Sequence, residues 1–324
     1  MELIKEISGK KIVVTGASGF IGSHLCETLI EYGGDVIGID NFSNGDINNL
    51  SKIISNPKFK LYAGDVSDTS FMIQITKGVD IIFHEAAFIS VPQSMIMPEL
   101  CHNVNVSGTV NVLNAARIND VKSLVFASSA AVYGNTNVLP INESIYPAPI
   151  SPYGVSKLAA ESYVVMYHKA YGLKTTALRY FNVYGPRQRN NQYAGVISIF
   201  AKRMIEEGKN PIIFGNGSQT RDFIYVLDVV KANILSAVHP NSSGKFYNVA
   251  TGSSIDLKTL TELMTKIVGN PNIKIEYAEQ RQGDILHSQA DISKIKSDIG
   301  FSADYSIEQG LKNYLNYVKS LKKQ

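Results

Sequence analysis

Apolar and polar positions fall in alternating blocks up to about Asn182. Lys11-Ile12-Val13-Val14-Thr15 is β-branched and continuously apolar, which predicts a strand buried on both faces. Ser23 to Ile30 predicts a helix that closes near Gly33-Gly34. A second strand, Asp35-Val36-Ile37-Gly38-Ile39, ends at Asp40. Strands are predicted again at 61–64, 80–84, 123–127 and 174–180. Helical spacing covers 103–117 and resumes at Ser151. This alternation predicts an α/β fold around a parallel sheet. The rhythm breaks after Asn182. A loop at 185–191, a helix near 196–207, short strand-like pieces around 211–217, 220–223 and 246–249, and a helix at 257–268 predict a second, smaller lobe.

Composition narrows the picture. A chain of 324 residues suits two such units, and 44% hydrophobic content is ordinary for a globular protein. A net charge of +3 is too mild and dispersed for a nucleic-acid surface. No stretch is long and apolar enough to span a membrane, and the N-terminus lacks a signal-peptide core, so a cytoplasmic protein is expected. Cys26 and Cys101 lack metal-ligand spacing and are expected to be reduced and buried; no metal site is expected.

Candidate chemistry starts at Gly16-Ala17-Ser18-Gly19-Phe20-Ile21-Gly22, between the first strand and helix. Glycines let the backbone approach a pyrophosphate, and a helix N-terminus offers amides and partial positive charge. Asp40, ending the next strand, can accept from an adenosine ribose and would repel a 2′-phosphate, which favours NAD over NADP. Tyr153 and Lys157 share a helix face, so the ammonium can favour the phenolate. By spacing alone, the pair also fits an ordinary helix with an exposed lysine. Ser129, ending the fifth strand, can donate to a substrate hydroxyl or simply serve a turn. Arg221 and Arg281 can serve a phosphate or remain surface charges. His84 reads as structural.

Taken together, the glycine turn, Ser129, Tyr153-x-x-x-Lys157, Arg179-Tyr180-Phe181-Asn182-Val183-Tyr184-Gly185-Pro186 and Gln219-Thr220-Arg221-Asp222-Phe223 resemble the extended short-chain dehydrogenase/reductase family, and within it the nucleotide-sugar epimerases. The resemblance covers essentially the whole chain. It implies a Rossmann-type doubly wound parallel sheet with a smaller C-terminal α/β substrate-binding lobe. The NAD-binding part is expected over 1–181, with a segment near 222–250 returning to it, and the nucleotide-sugar lobe over 182–324.

The resemblance also implies roles. Gly16, Gly19, Phe20, Ile21, Gly22, Asp40, Asn41 and Ser43 would hold the pyrophosphate and adenosine ribose of NAD, and Asp65 and Val66 the adenine. Ala86, Ala87, Asn105 and Tyr180 would contact the cofactor further along, with Tyr153 and Lys157. Ser90, Ser129, Asn182, Val196, Ile212, Phe214, Arg221, Arg281, Asp284 and Ser288 would contact the UDP-sugar. Ser129, Tyr153 and Lys157 would be catalytic, with Lys157 and the positive nicotinamide holding the tyrosine pKa down. Related dehydratases and decarboxylases carry acids just after the serine, where this chain has Ala130 and Ala131. Ile89 replaces a lysine of some UDP-galactose epimerases. Together with Ser90-Val91-Pro92 and a small Ser288, it points to room for N-acetylated sugars. The expected function is a UDP-hexose 4-epimerase with bound NAD, acting as a homodimer through helices near 103–117 and 153–171. A UDP-glucuronate 4-epimerase and a non-catalytic NAD sensor are the alternatives.

Overall fold

In the computed structural model, residues 3–188, 195–279 and 286–322 are described. Seven parallel strands form the central sheet. They are β1 (Lys11–Thr15), β2 (Asp35–Asp40), β3 (Phe59–Ala63), β4 (Ile81–His84), β5 (Ser123–Ser129), β6 (Thr175–Tyr180) and, from much later in the chain, a strand at Lys245–Val249. Across the sheet the order is that late strand, then β6, β5, β4, β1, β2, β3. The order reverses beside β1, and a parallel sheet opens a ligand crevice there, at the C-terminal strand ends.

Helices cover both faces: α1 (Phe20–Glu31), α2 (Thr69–Ile75), α3 (Val91–Ile96), α4 (Pro98–His102), α5 (Gly108–Ile118) and α6 (Pro152–Tyr171). Ile12, Val14 and Val125 pack on one face with Leu25 and Leu29 of α1; Val13, Ile82 and Leu124 pack on the other with Val112 of α5 and Val164 of α6. Strands with both faces covered need continuous apolar runs, and each fully buried Val, Leu or Ile contributes roughly 1.5–3 kcal/mol.

After β6 the chain forms β7 (Asn182–Tyr184), α7 (Val196–Ala201), β8 (Ile212–Phe214), β9 (Thr220–Arg221) and β10 (Phe223–Tyr225). Helix α8 (Val226–Val238) returns to pack on the sheet, and β11 (Lys245–Val249) is the late edge strand. The remaining elements are β12 (Ile255–Asp256), α9 (Leu257–Val268), β13 (Glu276–Ala278), α10 (Ser293–Ile299) and α11 (Ile307–Leu321). Helices α7, α9 and α11 enclose a separate core with Ile213, Phe223 and Tyr225. Several boundaries differ from expectation, two of them near the site. β3 starts earlier, because Phe59 packs where Gly38 leaves space on β2. The continuous helix expected over 103–117 is instead α4, a π turn at Asn103–Ser107, and α5.

Candidate active site

The glycine turn is built by close approach. Gly16 has φ +69, and a Cβ there would lie 2.8 Å from Ala86 N; a Cβ on Gly22 would lie 2.1 Å from Gly16 O. Gly19 caps α1 without a side chain to occupy its first amides. Gly16, Gly19, Phe20, Ile21 and Gly22 line one cavity together with Asp40, Asn41, Ser43, Asp65, Val66, Ala86 and Ala87. Asp40 is immobilised, its Oδ2 accepting from Ser18 N (2.9 Å) and its Oδ1 from Phe42 N (2.8 Å). Asn41 donates to Asp65 Oδ2 (2.7 Å) and accepts from Ser43 N (3.0 Å). A glycine cradle at a helix N-terminus, ending at a fixed carboxylate, fits an NAD pyrophosphate and ribose.

Two further expected cofactor contacts are buried and hydrogen-bonded within the protein. Asn105 is buried in the π turn; its Oδ1 accepts from Phe88 N (2.7 Å) and its Nδ2 donates to Phe88 O and Ser156 Oγ. It braces the loop that carries Ala86 and Ala87. Tyr180 is also buried, its phenol donating to Glu85 Oε1 (2.8 Å) and accepting from Asn233 Nδ2 (2.7 Å). His84 is structural. Thr109 Oγ1 already donates to Asn105 O, so it accepts from His84 Nε2 (3.0 Å), and Nδ1 accepts from Thr15 Oγ1 (2.7 Å). That tautomer is neutral, in keeping with a pKa lowered to about 3 by burial and then by Lys157.

Helix α6 starts at a capping serine. Ser151 Oγ accepts from Gly154 N (3.1 Å), and Pro152 takes the first turn, where no amide partner is needed. This places Tyr153 and Lys157 one turn apart at the C-terminal ends of β4 and β5. Tyr153 lies close enough to Ser129 for that hydroxyl to favour its phenolate. Lys157 is 3% exposed and donates to Ala127 O (2.9 Å), with its ammonium 5.0 Å from the Phe126 ring centre. Burial lowers the Lys157 pKa to about 8, opposed by the Glu85 charge.

The expected net depression of Tyr153 is not produced by the protein's own groups. Burial raises the phenol, and Ser129 only partly offsets this. Lys157, one of whose N–H groups donates to Ala127 O, is not among the groups that shift the phenol. Glu85, which the sequence reading left out, is half-buried beside this site, and desolvation raises it to about 7, against the Tyr180 bond and Lys157. Its signal was a lone acid between an apolar strand and Ala86-Ala87.

The expected sugar-side residues sit on several elements. Asn182 opens β7 and donates to Asp222 O (2.9 Å). Ser90 caps α3, accepting from Gln93 N (3.2 Å). Val196 begins α7, and Ile212 and Phe214 flank buried Ile213 on β8. Arg221 on β9 donates to Thr220 O (2.8 Å), and half-buried Ser288 pairs its amide with Thr220 O (3.1 Å). Arg281 and Asp284 lie outside the described residues. Ile89 lines the dinucleotide cavity, as do Arg187 and Gln188, which the sequence reading left out. Ala130 and Ala131 follow Ser129 in a 3-10 turn, so no acid occupies those two positions.

Known proteins resemble this chain over most of its length. The model of the NAD dependent epimerase/dehydratase family matches residues 12–250. A solved UDP-N-acetylglucosamine 4-epimerase from Methanobrevibacter ruminantium, in complex with UDP-N-acetylmuramic acid, is 38% identical, with TM-score 0.92 over 97% of this chain and 99% of that one. A UDP-glucose 4-epimerase from Thermotoga maritima, solved with UDP-glucose, is 37% identical, with TM-score 0.89 over 96% of this chain and 99% of that one. A UDP-glucose 4-epimerase from Mycolicibacterium smegmatis is 35% identical, over 96% of this chain and 99% of its own length.

Proposed function

The chain belongs to the NAD dependent epimerase/dehydratase family, and from that membership we propose that it is a UDP-hexose 4-epimerase acting on UDP-glucose and UDP-galactose and on their N-acetylated counterparts. The observation that carries this reading is Tyr153 next to Ser129, with buried Lys157 one turn away on α6 and coupled to Glu85, which lines the dinucleotide cavity. NAD, when bound, supplies the acceptor and donor for the hydride at sugar C4. Tyr153 takes the proton from the C4 hydroxyl and later returns it, and Ser129 orients that hydroxyl. Lys157 holds the ribose next to the nicotinamide. Burial raises the Tyr153 pKa, and NAD, when bound, would supply a positive charge that lowers it.

Epimerisation requires the 4-keto sugar to present its other face while the UDP stays anchored. We assign that anchoring role to Arg221, with Ile212 and Phe214, and to Arg281 and Asp284. Ala130 and Ala131 leave the positions after Ser129 without an acid for water elimination. Ile89 and Ser288 support acceptance of N-acetylated sugars. In the proposed division, 1–181 with the returning segment near 222–250 holds NAD, and 182–324 holds the nucleotide sugar.

The test is to incubate the purified protein separately with UDP-glucose, UDP-N-acetylglucosamine and UDP-glucuronate, without added cofactor, and resolve the products by chromatography. The expected result is a 4-epimer from the first two. Product from UDP-glucuronate alone would replace the substrate assignment, and no product from any, even with NAD added, would overturn the reaction class.

A further inference from the structure

One wall of the dinucleotide cavity comes from far outside the glycine turn. Arg187 and Gln188, in the loop after β7, line the same cavity as Gly16, Phe20 and Asp40. Arg187 is firmly held. Its backbone is left-handed, with φ +69, an uncommon conformation for a side-chain-bearing residue. The preceding Pro186 carbonyl is hydrogen-bonded to His24 Nε2 (3.0 Å), and Arg187 Nη2 pairs with Glu27. The Arg187 side chain is 8% exposed.

That arrangement accounts for only part of the guanidinium. Nη1 is buried with no hydrogen-bond partner among the described residues, and so is the adjacent Gln188 Oε1. A buried charged donor left without an acceptor is costly, and a strained backbone adds to that cost. Neither is expected beside a cavity unless a ligand supplies the acceptor.

The placement indicates its chemistry. Phe20, His24 and Glu27 share one face of α1, and Arg187 reaches that face through Glu27, with the Phe20 and His24 rings in edge contact. The guanidinium pairs past the middle of α1, while the loop that carries it lines the cavity onto which the first amides of that helix open, where its dipole already favours a phosphate. We infer that Arg187 Nη1 donates to a phosphate oxygen of the bound dinucleotide, so that the loop after β7 forms part of the dinucleotide site. This rests on the dinucleotide reading of the cavity and is independent of which sugar is turned over.

The test is equilibrium dialysis of radiolabelled NAD against wild type, Arg187→Met, Arg187→Lys and Glu27→Gln, with ADP and adenosine as competitors. Loss of a charge-assisted hydrogen bond is expected to weaken NAD binding roughly 10- to 100-fold in Arg187→Met. Arg187→Lys, which keeps charge but loses the fork, should fall between. Glu27→Gln breaks the ion pair but leaves Nη1, so it should bind NAD within about threefold of wild type. ADP should compete less well against Arg187→Met than against wild type, and adenosine equally well against both. If Arg187 only ties the loop to α1, Glu27→Gln and Arg187→Met will weaken binding alike, and that result overturns the inference. Unchanged binding in Arg187→Met overturns it too. Should Arg187→Met fail to fold, wild-type-like NAD affinity in Arg187→Lys at both low and high salt overturns it as well. Wild type that binds no NAD would instead refute the dinucleotide reading itself.

Discussion

Tyr153 is the residue on which the proposed proton chemistry depends, and its hydroxyl is removed with little else in Tyr153→Phe. Turnover is expected to fall by at least about 10²- to 10⁴-fold, while NAD released on denaturation stays at the wild-type amount. Near-normal turnover contradicts the assignment. Glu85 acts at one remove, through Lys157. Its charge is among the forces holding up the lysine pKa, which stands at about 8. Above about 7 Glu85 is a carboxylate, so it supports the ammonium in the range where Lys157 begins to titrate. Glu85→Gln removes that support, and the alkaline limb of kcat/KM is expected to move to lower pH. Superimposable limbs in the two proteins would show that the charges are not coupled. Glu85 also shows what one sequence hides: an acid at a strand end gives no sign of whether it points to solvent or into the sheet edge.

At the scale of elements, α6 presents Tyr153, Lys157 and Glu161 one per turn. The first two face the site. Glu161 instead accepts from Ser128 Oγ (2.7 Å) and pairs with Arg179, which is 2% exposed. Arg179 in turn donates to Tyr133 O–H (2.8 Å), and that hydroxyl donates to Asn248 Oδ1 (2.6 Å). This network ties α6, β5, β6 and β11 together directly behind Ser129. Breaking a buried pair leaves an uncompensated charge, whereas replacing both partners does not. Glu161→Leu is therefore expected to cost roughly 3–5 kcal/mol in urea unfolding, and Glu161→Leu with Arg179→Met to recover most of it. Equal losses in the single and double variants would contradict this. The contrast with the glycine turn explains what was legible in the sequence. Gly16 to Gly22 and Asp40 lie within one strand–turn–helix–strand unit, so local pattern reveals their geometry. The partners of Glu161 come from strands that meet only in the folded sheet. Asn105 and Tyr180 fall in family-like segments, but their buried partners, Phe88 and Ser156 for one and Glu85 and Asn233 for the other, also meet only in the fold.

For the whole molecule, the α/β alternation and the break after Asn182 were readable from hydrophobic spacing, and the order of the sheet was not. One surface remains to be accounted for. Met95, Ile96 and Leu100 of α3 and α4 lie exposed along with Val155, Tyr163 and Tyr171 of α6, and Ile96 is 75% exposed. Helix α6 packs against both α3 and α4. Apolar exposure on adjoining helices marks an association surface, and we propose that a second copy of the chain covers it. Light scattering is expected to give a dimer for wild type and a monomer for Ile96→Glu; a monomeric wild type contradicts the proposal. Stability should also depend on acid. Burial lowers the pKa of His24 to about 4 and of His84 to about 3, so the unfolded chain takes up protons below about 6.5 that the folded chain refuses. Stability is then full above that pH and lost as pH falls towards 4. A Tm that does not change between neutral pH and about 5 would contradict it. The central claim is oxidation and re-reduction at C4, and it is tested most directly with UDP-glucose deuterated at C4. The account predicts UDP-galactose that keeps the deuterium at C4, without added cofactor. Loss of the deuterium to water, or a product unchanged at C4, would contradict it.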